Sequence, residues 1–312
     1  MHLLVPFGSD TSEACRHVLR DLALPNLARV LALLAPSARD EGESASFSPP
    51  HERALAADWG WHGSDGCWPF AAHAAAVDGI AVGDRAWALV TPAHWQLGRD
   101  HVLMTDPAHL ALDDDESKAL FAAVRELFDS EGFTVAFGSA LRWYVARDDL
   151  DGLRSASLDR AVGRNVDAWL GHDASAIGRL VRRLQSEVQL VFHAHAVNDA
   201  RDERDALAVN SFWLSGCGRA QPVDAAATPE IAMTLRTPLL AGDWAAWAEA
   251  WQALDSGAVA ALSSAARRGE PTSLTLCGER SAARFRLRSR SLWQRLGGSW
   301  QRPEPHAVLE AL

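Results

Sequence analysis

The chain has little tyrosine, little methionine and no clustered cysteine: one Tyr, three Met and four Cys among 312 residues. Cys15, Cys67, Cys217 and Cys277 lie far apart with no C-x-x-C spacing, so neither a zinc knuckle nor a disulfide framework is indicated, and reduced, buried thiols are expected. Net positive charge is missing too. Forty Asp and Glu against 30 Lys and Arg give a formal charge of −10, the wrong sign for a duplex-binding surface, so nucleic acid is not an expected partner. No run of about 20 apolar residues exists, and residues 1–10 are too short and lack the basic start of a secretory signal. The expectation is a cytoplasmic protein with no membrane partner. G-x-S-x-G, G-x-G-x-x-G and G-x-x-x-x-G-K-[ST] are absent as well, which removes the grounds for a serine-hydrolase elbow, a dinucleotide fold or a P-loop.

What is present is apolar mass. With 48% hydrophobic residues the chain can bury a sizeable core. Thirteen Trp are the compositional excess. Trp244, Trp247, Trp251 and Leu254 fall at i, i+3, i+7 and i+10, one face of a helix, which predicts a core-facing stripe. A sugar- or base-stacking platform is the competing reading.

Strand-like and helix-like segments alternate. Residues 2–7 read as a buried strand, 12–22 and 25–34 as helices, and 37–47 as a polar separator. Ser48 followed by Pro49 and Pro50 offers an N-cap and a first turn for a helix whose body is 53–61. Runs at 80–97, 102–112 and 133–147, broken by Gly, Pro and Asp, predict strands and hairpins. Between them Asp113, Asp114, Asp115 and Glu116 open a helix ending near Phe128, where their charge suits the helix macrodipole without any ligand. Helical periodicity returns over 155–170 and 174–195. In the second stretch Ile177, Val181, Leu184, Val188 and Val191 should face a core, with Gln185 and Gln189 on a neighbouring face. Residues 210–214 form a short strand candidate, 239–266 are mainly helix, and 273–289 read as a hairpin turning near 278–282. This alternation predicts the α/β class, a mixed β-sheet covered by helices. A single compact domain over 1–312 is expected, with a β-richer half at 1–150 and a helix-richer half at 151–312.

Three clusters carry chemistry. His193 and His195 with Asp199 are zinc-ligand residue types, but side chains two apart diverge on a helix. A metal pair and a helix end are the two readings, and no metal site is assigned. His94, Asp100, His101, Asp106 and His109 gather imidazoles and carboxylates in one short segment. They are the catalytic candidates, against a reading as hairpin hydrogen bonds and ion pairs. The third cluster is 198–218, NDARDERDALAVNSFWLSGCG. Asn198, Arg201 and Asn210 around the turn at Gly216 and Gly218 offer side-chain and backbone donors to an anion, with Arg201 gripping phosphate or carboxylate bidentately. In the competing reading Asn198 and Arg201 cap the preceding helix or pair with Asp199 or Asp202.

The same stretch resembles, at matching spacing, the N-x-x-R-x-x-x-G-x-x-P-A-N segment and following G-x-G of archaeal-type cofactor-independent phosphoglycerate mutases, with Asp205 at the glycine and Ala208 at the proline position. More of the chain resembles the bacterial RpfE-type regulatory proteins, often labelled phosphoglycerate mutase-like. The matching pieces are LLVPF at 3–7, LPNLARVLA at 24–32, SPPHERALA at 48–56, LDRAVGR at 158–164, LQSEVQ at 184–189, VNDAR at 197–201 and VNSFWLSGCG at 209–218. The resemblance implies a degenerate alkaline-phosphatase-like, phosphoglycerate-mutase-like fold and a regulatory role. Enzymes of that kind use two divalent ions to neutralise the transferring phosphoryl group and activate a hydroxyl nucleophile. Here the first strand runs into Pro6, Phe7, Gly8, Ser9 and Asp10 in place of the family's DG-x-x-D, and after Cys217 only His306 remains for a late Asp/His set. The expectation is a regulatory protein that binds a small anionic ligand, phosphorylated or carboxylate, through Asn198, Arg201, Asn210, Gly216 and Gly218, with no cofactor and no two-metal catalysis. The alternative is an active mutase or phosphatase holding Mn or Mg on Asp100, His101, Asp106 and His109.

Overall fold

The computed structural model describes residues 1–99, 101–170, 173–287 and 304–312. It comprises two compact units, one formed by Met1–Ser44, Pro49–Gly60 and Val223–Leu312 and the other by Ala45–Ser48 and Trp61–Pro222. The division expected at residue 150 falls inside the second unit. In chain order the first unit opens with β1 (His2–Val5), α1 (Glu13–Asp21), α2 (Pro25–Leu33), β2 (Leu34–Asp40) and α3 (Pro50–Asp58). The second carries α4 (Phe70–Val77), β3 (Ala86–Ala93), β4 (Trp95–Leu97), β5 (Val102–Met104), α5 (Asp114–Ser130), β6 (Thr134–Ser139), β7 (Arg142–Ala146), α6 (Leu158–Ala161), α7 (Ala176–His193), α8 (Ala196–Asp202) and β8 (Ser211–Arg219). The chain then completes the first unit with β9 (Glu230–Ile231), α9 (Arg236–Leu240), α10 (Trp244–Leu254), α11 (Ala260–Arg267), β10 (Ser273–Cys277), β11 (Ala282–Leu287) and α12 (Pro305–Glu310).

In the first unit the sheet order is β2-β11-β10-β1-β9, with β1 parallel to β10 and β9, and β11 antiparallel to both β10 and β2. The mixed sheet expected from the alternation is therefore present. Leu3, Leu4 and Val5 are fully buried, as an unbroken apolar run in a parallel strand should be. Residues of α1, α2, α10, α11 and α12 pack into the same core. Ser12 caps α1, its hydroxyl accepting the Cys15 N–H at 3.2 Å. Leu24 cannot cap α2, and buried Asp255 does so instead: its carboxylate accepts Leu27 N at 2.7 Å and Asn26 N at 3.1 Å. Asp255 reaches that position from a π-turn between α10 and α11.

The tryptophan stripe belongs to the core, not to a stacking platform. Trp247 and Trp251 are fully buried, and their indole N–H groups donate to the carbonyls of Phe7 at 3.0 Å and Gly8 at 3.1 Å. Those bonds hold the turn after β1, where Phe7 sits at φ +58°, a conformation that a bulky residue keeps only when its surroundings impose it. Two strands were hidden, β2 and the two-residue β9. Residues 37–40 of β2 fall in the segment read as a polar separator and Leu34 in the run read as helix, because an edge strand pairing with β11 shows no apolar alternation.

In the second unit a four-stranded antiparallel sheet runs β6-β7-β3-β8, and β4 and β5 form a separate hairpin. α5 and α7 supply Leu120, Val124, Phe128, Leu184, Val188 and Phe192 to the core over this sheet. α4 brings Ala71, Ala72 and Ala75 to a second cluster with Trp87 and Tyr144. The helix expected over 155–170 is mostly absent. Only α6 and a 3-10 turn at Val166–Ala168 form, because the chain there bonds to β5 instead: Gly163 N donates to Met104 O at 2.8 Å and Asn165 bridges Leu103.

Candidate functional site

The segment 198–218 spans α8, a turn and β8. α7 ends at His193, and His195 is the N-cap of α8, its Nδ1 accepting Val197 N at 3.2 Å, so this pair takes the helix-end role. Asn198 is buried. Its amide nitrogen donates to Phe192 O and Val209 O, both at 2.8 Å, and its oxygen accepts Val209 N at 2.9 Å. Asn210 pairs with the Trp95 backbone in both directions, accepting at 2.7 Å and donating at 2.8 Å.

Arg201 has 0% of its surface exposed. Nε donates to Leu207 O at 2.7 Å, Nη1 to Glu116 Oε2 at 2.6 Å and Nη2 to Leu110 O. Its carboxylate partner is thus neither Asp199 nor Asp202 but Glu116, from the acidic start of α5, which also takes Arg204. Burial demands this: an enclosed guanidinium without a carboxylate and carbonyls around it would cost several kcal/mol. Asp205 adopts φ +56°, so it keeps the left-handed geometry that glycine would give the turn, as Asp tolerates.

The glycines serve packing. A Cβ on Gly216, at φ +69°, would lie 2.8 Å from Ala71 N, and one on Gly218, at φ +148°, would lie 3.1 Å from Pro69 Cβ. They let α4 settle on β8, where the β3–β8 register also shifts. The side chains of Asn198, Arg201 and Asn210 are thus each bonded to protein partners, and Gly216 and Gly218 lie against the start of α4. Gln185 and Gln189, on the shared face read from the sequence, donate to Phe212 O at 2.8 Å and Ser211 Oγ at 3.1 Å.

The histidine-rich segment disperses. His94 Nδ1 lies 2.8 Å from Ala208 O, and Asp106 caps the 3-10 turn Pro107–Leu110 by accepting Ala108 N at 3.0 Å. His109 is exposed within that turn, His101 is exposed beside Gly98, and Asp100 lies outside the described residues. Among the described residues no three His, Cys, Asp or Glu side chains are grouped so as to hold a metal ion. Of the thiols, Cys15, Cys217 and Cys277 are buried and Cys67 is partly so. Burial pushes Cys15 up to about 11 and Cys217 up to about 12, so neither supplies a thiolate near neutrality.

A different feature has the chemistry of an anion site. At the head of α7 an open cavity of about 350 Å³ is lined by Ile177 and Leu180 together with Arg147, Arg179, Arg183, Glu131 and Asp149. Arg147 donates from Nη1 to Glu131 O at 2.9 Å, pairs through Nε with Asp149 at 3.1 Å and stacks on Phe133 at 5.3 Å. Arg183 pairs through Nη2 with the Glu131 carboxylate, and Arg179 donates from Nη1 to Ala174 O. The signal for this cluster was the polar face of α7, where Arg179 and Arg183 stand one turn apart; periodicity drew attention to the opposite, apolar face.

No family model matches the chain and no curated protein matches it. The RpfE-type resemblance accordingly rests on the short sequence matches alone. Among solved structures, the cofactor-independent phosphoglycerate mutase from Thermoplasma acidophilum DSM 1728 is similar with a TM-score of 0.38 and 12% identity, over 99% of this chain and 98% of that one. The PH0037 protein from Pyrococcus horikoshii is similar with a TM-score of 0.45 and 12% identity, over 98% of this chain and 91% of that one. Likeness at this level transfers no activity or substrate.

Proposed function

We propose that the chain is a cytoplasmic regulatory protein of the RpfE type, related to phosphoglycerate mutases, that binds a small phosphorylated or carboxylate ligand without two-metal catalysis. The observation that carries the non-catalytic part of this reading is the enclosure of Arg201. The arginine that the mutase resemblance would turn toward a substrate is fully buried and bonded to Glu116, Leu110 and Leu207, so it holds the fold and not a phosphate. Guanidinium groups open to an anion stand elsewhere on the same unit, around the cavity at the head of α7. A formal charge of −10 supports a partner set without nucleic acid. Among the described residues no helix is long and apolar enough to cross a membrane.

The test is an assay of the purified protein for mutase turnover of 3-phosphoglycerate and for hydrolysis of a phosphate monoester, each with and without added Mn or Mg. The expected result is no turnover in any condition. Metal-dependent turnover would establish the alternative, an active phosphoglycerate mutase or phosphatase.

A further inference from the structure

We infer that the cavity at the head of α7 is the anion site of this protein and that it takes a small dianion, a phosphoryl group or a dicarboxylate. This rests on the proposed reading of the chain as a binder of small anions. The volume of about 350 Å³ is that of a small-metabolite site.

The three guanidiniums are each tethered through one edge and open along another. Arg147 is fixed by Glu131 O, Asp149 and the Phe133 ring, and its Nη2 has no protein partner among the described residues. Arg179 is tied only through Nη1, to Ala174 O, which leaves Nε and Nη2. Arg183 is tied through Nη2 to Glu131, with Nε 3.7 Å from Glu187, which leaves Nη1. Tethering lowers the entropy lost when an anion binds, and an open N–H edge is what phosphate or carboxylate recognition by arginine uses.

Competition between charges sets the class of ligand. The lining carries three guanidiniums and two carboxylates, and Glu187, 3.7 Å from Arg183 Nε, is a third, so an anion is held by releasing guanidiniums from carboxylates and not by excess charge. A dianion can draw Arg183 away from Glu131, since that pair is half-exposed and weakly held. Glu131 is therefore a built-in competitor for the site, and its removal should strengthen binding.

The experiment is isothermal titration of the full chain with inorganic phosphate and, separately, with succinate, on wild type, Arg179→Ala, Arg183→Ala and Glu131→Gln, with thermal melts to show that each variant is folded. Saturable binding of at least one probe is expected, and the probe that binds more tightly separates a phosphoryl from a dicarboxylate ligand. Each arginine variant should weaken it by at least about tenfold, the loss of one charge-assisted bond. Glu131→Gln should tighten it by about three- to tenfold. Binding that is unchanged in folded Arg179→Ala and Arg183→Ala would overturn this site while leaving the anionic-ligand reading in place. No binding of either probe by wild type would overturn both.

Discussion

The two ends of α5 each meet an arginine–glutamate pair, and the pairs do opposite things. At the N-terminal end Glu116 holds Arg201, whose side chain is 1% exposed. At the C-terminal cap Glu131 holds Arg183, whose side chain is 53% exposed. The residue types are the same and the contacts are of one kind. Enclosure separates them: Arg201 spends its donors on a carboxylate and two carbonyls and becomes a strut, whereas Arg183 keeps an open edge beside a cavity and can exchange partners. An Asn-x-x-Arg spacing that fits an anion-binding loop in one protein can thus brace a fold in another.

The sharpest break of this comparison is Arg201→Ala. It leaves the Leu110 and Leu207 carbonyls without their donor and Glu116 with Arg204 alone, and should lower unfolding stability by about 3–5 kcal/mol, read from the urea midpoint. Next is Gly216→Ala, which forces a Cβ to 2.8 Å from Ala71 N at a positive φ and should cost about 2–3 kcal/mol in the same measurement. A wild-type midpoint there would mean that the glycine is not held for docking α4. Asp205→Gly relieves a left-handed residue at the expense of unfolded-state entropy and should stabilise by about 0.5 kcal/mol, a small rise in melting temperature. Arg183→Ala completes the series with the smallest effect, under about 0.5 kcal/mol, because an exposed pair contributes little. If Arg183→Ala destabilised as much as Arg201→Ala, the distinction drawn between the two ends of α5 would fail.

Much of the fold was legible because it is locally encoded. Ser12 and Asp113 announce their helices, the Trp247 and Trp251 spacing marks a buried face, and 273–289 carries its own turn. The misses share a different cause. Asp255 caps α2 from 229 residues away, and Arg201 meets Glu116 across 85, so no window along the chain contains either partnership. β2 is polar because it lies on a sheet edge, and 155–170 abandons helix for bonds to the β4–β5 hairpin. α3 begins at Pro50 after Pro49 with no side-chain cap, so the Ser48 signal was a correct boundary with the wrong capping residue. The enclosure of the candidate residues was hidden for the same physical reason: sequence shows which polar groups are present and not which of them are enclosed. Asn198, Arg201 and Asn210 looked like donors awaiting a ligand, while Arg179 and Arg183 drew no reading at all.

A backbone amide NMR titration with inorganic phosphate tests the central claim most directly. The account predicts chemical-shift changes at Ala176, Ile177 and Arg179, with none at Asn198, Arg201, Asn210, Gly216 or Gly218. Shifts centred on 198–218, with the head of α7 silent, would contradict it.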